Sequence, residues 1–249
     1  MEKLVIIPTY NEKDNIRKII AAVFALEQNF HVLIIDDGSP DGTGAIVKQL
    51  QADNAGRLFL EERTGKLGLG TAYIHGFKWA LARGYQYIIE MDADFSHPPK
   101  DLIRLHHACA HEGADVSVGS RYVKGGATEN WPWNRALLSR GASVYVQMIT
   151  WMPVKDATAG FVCYKREVLE TINLDEIQFV GYAFQIEMKF TAWKLGFKVK
   201  EVPITFVERV EGYSKMSKNI VKEGVLGVLK IQWQSLFRNY AGRVKNENN

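Results

Sequence analysis

Four short segments of this chain carry most of its reactive side chains. Asp92-Ala93-Asp94 places two carboxylates at i and i+2, and on an extended chain those positions face the same side. Two hard oxygen ligands with coordination positions to spare suit magnesium or manganese bridging a diphosphate. Two such carboxylates repel unless a cation or hydrogen-bond donors lie close, and Ser96 can reach the same shell. Asp36-Asp37-Gly38-Ser39-Pro40-Asp41-Gly42-Thr43 is a second acidic segment. A carboxylate there can accept hydrogen bonds from a base or a ribose hydroxyl, while Ser39 or Asp41 can cap a helix. Pro8-Thr9-Tyr10-Asn11-Glu12 is the third, a turn that can set backbone and a carboxylate beside a ligand, with Asn11 as helix cap. The fourth is a scattered basic set, Arg121, Arg135, Arg140, Arg209, Lys215 and Lys218. Arginine grips phosphate through parallel hydrogen bonds, and lysine acts as a point charge.

Other chemistries lack their motifs. The glycines at 65, 68 and 70 do not form the dinucleotide-binding pattern, and Gly65-Lys66 lacks the remainder of a phosphate-binding P-loop. His107 and His111 stand at i, i+4 without the glutamate of a zinc-protease helix. No nucleophile elbow is present, and no recognised nucleic-acid module accompanies the basic residues.

The elements that must position these side chains alternate. Short apolar runs at 4–8, 32–35, 57–60, 87–91 and 116–119 predict strands, and amphipathic stretches at 12–26, 41–51, 69–83 and 99–112 predict helices. Such alternation implies a mostly parallel sheet flanked by helices, with ligands at the carboxyl ends of the strands. Each acidic segment falls at such an end, and Arg121 ends the fifth strand, pointing into the same crevice as Asp94. Beyond it, 122–134 reads as a loop and 135–152 as an apolar segment. Residues 161–164 read as a strand, 180–195 as a helix, 199–206 as a strand broken at Pro203, and 219–240 as an amphipathic helix.

The 249 residues carry a net charge of +3, with a globular composition that excludes disordered, collagen-like and coiled-coil classes. The charge is uneven: 188–249 holds 12 basic and 5 acidic residues, which favours an anionic partner. Cys109 and Cys163 have no metal or redox spacing, as in a chain from a reducing compartment. The start of the chain reads as a strand rather than a signal peptide. The longest charge-free apolar run, 141–154, is shorter than the roughly 20 residues of a membrane span.

In order, these segments resemble glycosyltransferase family 2, which has the GT-A fold. Within it, they resemble the branch that transfers mannose to dolichyl and other polyprenyl phosphates. The segments are PTYNE at 8–12, DDGSPDGT at 36–43, MDADFSHPP at 91–99 and GSRYV at 119–123. NWPWNRALLSRGAS at 130–143, DATAGF at 156–161 and EVPITFVERVEGYSKMS at 201–217 narrow the match to that branch.

The resemblance implies an α/β GT-A (Rossmann-like) fold, one domain over 1–249. Residues 1–121 would be its nucleotide-sugar half, and 122–249 its acceptor half with interfacial helices. It implies that Pro8, Tyr10, Glu12 and Asp36 contact the nucleoside, beside Asp92, Ala93 and Asp94. Asp92, Asp94 and Ser96 would hold a divalent magnesium or manganese ion. Arg121, Arg209 and Lys215 would meet the donor phosphates, and Arg121, Arg135 and Ser139 the acceptor phosphate. Asp94, Arg121 and Arg135 are the catalytic candidates. Asp156 matches a site-lining position, and Ala159 stands where Ser or Gly is common. The implied reaction is inverting transfer of mannose from GDP-mannose to a polyprenyl phosphate. A glucosyl donor, a saccharide acceptor, or a non-catalytic nucleotide-binding or response-regulator-like module are the alternatives. The implied setting is peripheral, at the cytoplasmic face of a membrane, by direct surface contact or through an anchoring partner protein. Leu137, Leu138, Val144, Tyr145, Met148, Ile149, Trp151 and Met152, flanked by Trp131 and Trp133, form one candidate interfacial segment. Val221, Val225, Val228, Leu229, Gln232 and Leu236 form a second stripe, with Trp233, Phe237 and Tyr240 near its end.

Overall fold

The computed structural model describes residues 3–208, 218–238 and 240. A seven-stranded sheet forms its centre, in the order β3-β2-β1-β4-β7-β5-β8. These strands are β1 (Lys3–Thr9), β2 (His31–Asp36), β3 (Leu58–Glu62), β4 (Tyr87–Glu90), β5 (Val116–Ser120), β7 (Val162–Lys165) and β8 (Val199–Pro203). β6 (Ala127–Glu129) and β9 (Thr205–Val207) form a separate two-stranded sheet. The helices are α1 (Lys13–Phe24), α2 (Thr43–Asp53), α3 (Leu69–Ala82), α4 (Asp101–His111), α5 (Trp133–Thr150), α6 (Arg166–Thr171), α7 (Tyr182–Lys194) and α8 (Lys218–Ser235).

Strand alternation divides the core into two layers. Leu4, Ile6, Leu33 and Ile35 pack with Tyr73 and Phe77 of α3 and with Phe184 and Met188 of α7. Val5, Ile7, Val32 and Ile34 face the other way, onto Ile16, Ile19 and Val23 of α1 and Leu102 and Leu105 of α4. Burial on both faces is the reason these strands read as continuous apolar runs. A third cluster joins Val146 of α5, Ile186 and Phe190 of α7, and Val228 and Ile231 of α8.

The sheet is mostly parallel, as its sequence pattern predicts, except that β7 runs antiparallel between β4 and β5. Its first residue therefore lies at the carboxyl edge of its neighbours, and the loop 151–161 is delivered to that edge. The segment 122–134 is not only loop, since β6 pairs Ala127 with Thr205 and Glu129 with Val207 of β9. The 199–206 strand divides at Pro203: β8 pairs with β5 up to that residue, Ile204 donates to the Ser120 carbonyl, and β9 leaves for the second sheet. The last long helix ends at Ser235 rather than 240. α6 carries no sequence signal of comparable strength; its six residues are too few for a helical stripe.

Asn11 is not the cap of α1. It has left-handed backbone, φ 62°, and Glu12 takes the cap position. The acidic loop supplies the capping groups from across the crevice. Ser39 Oγ accepts from the Asn11 N–H, Thr43 Oγ1 from the Glu12 N–H and Asp41 Oδ2 from the Lys13 N–H. Asp41 Oδ1 also accepts the Thr43 N–H at the start of α2. One loop thus satisfies open amides of two helices.

Candidate active site

Strand order reverses its progression at β1, which has β2 on one side and β4 on the other. A crevice opens at such a point in α/β sheets. The Pro8–Glu12 and Asp36–Thr43 segments rim it from β1 and β2. Asp36 is buried and already well bonded: it accepts from Thr9 Oγ1 at 2.9 Å, and from the Ser39 N–H and hydroxyl at 2.9 and 2.6 Å. Tyr10 is exposed, with the Lys66 ammonium 4.9 Å from its ring centre. Arg63 and Asp37 form a buried ion pair at 2.6 Å, and Arg63 also donates to Thr71 Oγ1. Arg63 and Lys66 carried no sequence signal beyond their charge.

Asp92 and Asp94 lie beyond the end of β4, so strand alternation does not place them. β4 stops at Glu90, and the chain turns through Phe95 at φ 61°. A side chain other than glycine in that region stores strain of the kind found at functional sites. Asp94 is buried and accepts the Ser96 N–H at 3.0 Å, whereas the Asp92 side chain is 39% exposed. Both line one cavity of about 970 Å³. Beside them, burial lowers the His97 imidazole to about 4, so it is neutral at pH 7. It stacks on Phe161 and accepts the Asp92 N–H at Nδ1.

The cavity lining falls into two chemical sets. The polar set is Asp92, Asp94, Ser96, His97, Arg121, Asn134, Arg135, Ser139, Thr158 and Gln185. The apolar set includes Leu137, Leu138, Tyr145, Val146, Ile186, Val225 and Val228, drawn from α5, α7 and α8. The structure therefore gathers Asp92, Asp94, Ser96, Arg121, Arg135 and Ser139 in one space. Pro8, Tyr10, Glu12 and Asp36 stand at the neighbouring strand ends and do not line that cavity, nor does Ala93, which is buried. Arg140 is exposed and outside the lining. Arg209 and Lys215 lie outside the described residues, as does the side chain of Lys218.

The two arginines are paired. Arg121 donates from Nε to Asp156 Oδ2 at 2.7 Å, from Nη2 to Asp156 Oδ1 at 2.6 Å, and from Nη2 to Thr158 Oγ1 at 3.0 Å. Tyr122, Trp131 and Phe206 place their rings 5.1–5.5 Å from its guanidinium carbon. Asp156 is fully buried. The 155–156 turn is held in place by Glu201, which accepts the Lys155 and Asp156 N–H groups at 2.8 and 2.9 Å. Arg135 lies 4.4 Å from the Trp131 ring centre and donates from Nη1 to Glu208. Ser139 Oγ accepts from the Tyr122 hydroxyl at 2.8 Å. The cationic cradle is thus close to neutral overall.

Two groups that the sequence pattern did not single out lie beneath the cavity floor. Burial pushes Glu90 up to about 8 and Lys189 down to about 8. Lys189 donates to the Ala159 carbonyl at 2.7 Å, which ties α7 to the loop that carries Asp156. Only burial marks these residues, and burial depends on the assembled sheet.

The sequence profile of the family described as Glycosyl transferase family 2 matches residues 4–172. Polyprenol monophosphomannose synthase of Mycolicibacterium smegmatis is 48% identical over 225 residues, covering 90% of this chain and 84% of that protein. Undecaprenyl-phosphate mannosyltransferase of Micrococcus luteus is 43% identical over 240 residues, covering 95% of this chain and 98% of that one. Among solved structures, a Pyrobaculum calidifontis mannosyltransferase in complex with GDP-Man and Mn2+ superposes with a TM-score of 0.60 at 19% identity. That match covers 96% of this chain and 64% of the other. Glucosyl-3-phosphoglycerate synthase of Mycobacterium tuberculosis gives 0.66 at 15% identity, covering 93% of this chain and 80% of the other. The two structural likenesses show the fold, and that fold is GT-A-like. The profile spans more than half of the chain, from β1 through the antiparallel β7, and the chain belongs to glycosyl transferase family 2.

Proposed function

We propose that the chain transfers a mannosyl residue from GDP-mannose to a polyprenyl phosphate, with inversion at the sugar. The observation that carries this reading is the composition of the cavity. Paired carboxylates, two arginines and a serine share one space with an apolar lining from α5, α7 and α8. A saccharide acceptor would leave that apolar surface without a partner, whereas a phosphate on an isoprenoid chain matches both sets. The names of the two relatives above support the same choice of sugar and acceptor.

The residues set the division of labour. A phosphate monoester has a second pKa of about 6, so at neutral pH it is largely a dianion and attacks without a strong base. No neutral side chain need take its proton, which agrees with a His97 that is buried, stacked and bonded to backbone. Arg135 and Ser139 orient the acceptor phosphate, and Arg121 orients oxygens between acceptor and donor. Asp36, Tyr10, Glu12 and Pro8 face the nucleoside, while the donor-phosphate candidates Arg209 and Lys215 lie outside the described residues. Single displacement inverts the anomeric centre, giving a β-linked product from an α-linked donor.

Asp92 and Asp94, with Ser96, fit a magnesium or manganese ion. The described residues contain no group of three or more His, Cys, Asp or Glu able to hold a metal. Asp92 and Asp94 would hold such an ion by two carboxylates, few enough to leave coordination positions open. When bound, the ion offsets the charge that develops on the leaving nucleoside diphosphate.

No helix among the described residues is long and apolar enough to cross a membrane. α5, α8 and the residues just after them instead expose Trp133, Leu137, Met148, Trp151, Trp233 and Phe237, a composition suited to an interfacial surface. We place the protein peripherally at the cytoplasmic face of a membrane, with an anchoring partner protein as the other means of reaching the lipid. The deciding experiment offers labelled nucleotide-sugars with a polyprenyl phosphate, with and without manganese, and extracts product into organic solvent. Label must follow GDP-mannose into the solvent phase, and Asp94→Ala must abolish it. Transfer from another sugar donor alone, or full transfer by the variant at saturating metal, overturns the reading.

A further inference from the structure

Two guanidinium groups share the Trp131 ring, and each pairs with a carboxylate among the described residues, yet the two pairs are built differently. Asp156 is fully buried, binds Arg121 through both oxygens and also accepts the Arg121 N–H. Glu201 holds the backbone beneath it. Glu208 has a side chain 27% exposed and meets Arg135 at a single nitrogen, Nη1. Its carboxylate makes no other hydrogen bond among the described residues. Only its backbone is fixed, by the Glu208 N–H donating to the Glu129 carbonyl at the end of the small sheet.

The first pair is permanent by construction and the second is replaceable. We propose that Glu208 is a place-holder for the acceptor: its carboxylate occupies the edge of Arg135 that the lipid phosphate takes, and swings away when that phosphate arrives. The inference rests on the reading of Arg135 as an acceptor-phosphate ligand. Three physical points support the exchange. A partly exposed, single-contact ion pair contributes little net stability, so displacing it costs little. A phosphate monoester brings up to twice the charge of a carboxylate, and it can bond a guanidinium through two parallel hydrogen bonds where Glu208 uses one. Until displacement, Glu208 keeps Arg135 extended beside Trp131 and sets a threshold that singly charged anions do not pass.

The test uses the full chain with a polyprenyl phosphate in detergent micelles at saturating donor, and inorganic phosphate as a competing free anion. Glu208→Gln removes the charge and retains the shape. The variant is expected to lower the acceptor KM and the inhibition constant for inorganic phosphate by about 2–5-fold, the size of such a pair. Arg135→Ala is expected to raise the acceptor KM at least about tenfold, and Glu208→Gln should have no effect in that background. A Glu208→Gln enzyme whose acceptor KM is unchanged or higher, with Arg135→Ala still impaired, overturns the place-holder while leaving the role of Arg135 intact. An acceptor KM unmoved by Arg135→Ala overturns both. A fall in the inhibition constant for inorganic phosphate without a fall in acceptor KM assigns the site to free phosphate and overturns the proposal for the lipid.

Discussion

Arg121 meets Asp156 edge to edge, Nε and Nη2 each within 2.7 Å of a different carboxylate oxygen. The guanidinium is therefore oriented by the protein and largely neutralised by it. It serves the site as a fixed hydrogen-bond donor more than as a diffuse positive charge. In a buried pair the geometry is informative, because desolvation consumes most of the Coulombic gain.

The consequence can be measured at Asp156. Asp156→Asn leaves a buried cation without its counter-charge, which costs about 3–5 kcal/mol when one partner of such a pair is removed. We expect a lower urea midpoint together with a fall in kcat. The double variant Arg121→Met, Asp156→Leu should regain much of the stability, since apolar groups of similar volume replace buried ion pairs well. Its activity should stay lost. Recovery of activity in the double variant would show that the pair serves the fold alone.

Gly126 fixes the other side of Arg121. A Cβ there would stand 2.5 Å from the Ser120 carbonyl oxygen and 2.8 Å from the Arg121 carbonyl carbon and oxygen. All three atoms are backbone, so no rotamer relieves the clash and the 121–126 turn must open. Gly126→Ala is expected to reduce kcat well out of proportion to its effect on Tm. Gly141 in α5 has open space around its Cβ position, and Gly141→Ala should raise stability by about 0.5–1 kcal/mol through helix propensity. Thermal melts of the two variants beside their rates check both statements.

Residues 4–119 were legible because β1, β2, β4 and β5 are buried on both faces and the helices on one, so periodicity separates them; the edge strand β3 is buried fully only at Leu58. The carboxyl-end position of Asp36 and Asp92 followed directly. The antiparallel insertion of β7 left no such mark, since a four-residue apolar run reads the same in either direction. With it went the role of Asp156, because only the reversed strand brings its loop to Arg121. The pairing of Arg135 with Glu208 was equally hidden: 73 residues separate them, and β6 and β9 join them through one short sheet. Asp92 and Asp94 both line the cavity, but from the segment after Glu90, where the chain has left the strand, and not as alternating residues of β4.

His106 offers a pH test away from the site. It is 7% exposed, its two ring nitrogens have no hydrogen-bond partner among the described residues, and it packs edge-on against Phe30 and Tyr87. Burial, with smaller contributions from Lys3, His111 and His107, lowers it to about 4. The unfolded chain takes up this proton near pH 6.5 and the folded protein only near 4. The contribution to stability is therefore complete above 6.5 and is lost as pH falls through that window. His106→Leu should flatten this part of the stability curve, read as urea midpoint against pH. An unchanged slope between pH 6.5 and 4 would assign the acid sensitivity to other groups.

Trp151 combines two features that oppose each other. It ends α5 in left-handed backbone, φ 58°, and its side chain is 81% exposed. Left-handed backbone costs a bulky side chain roughly 1–2 kcal/mol relative to glycine, and an exposed indole returns little of that to the folded chain. A surface that meets lipid gives the indole a partner, because tryptophan favours the membrane–water boundary. Trp133, 79% exposed at the other end of the same helix, would meet the same surface. Trp151→Gly should therefore raise the urea midpoint while it weakens flotation with vesicles containing anionic lipid. Trp133→Ala with Trp151→Ala should weaken flotation further, with soluble folding retained. Flotation that ignores anionic lipid and survives the double substitution would remove α5 from the membrane contact, and the strain at Trp151 would then have no function in lipid binding.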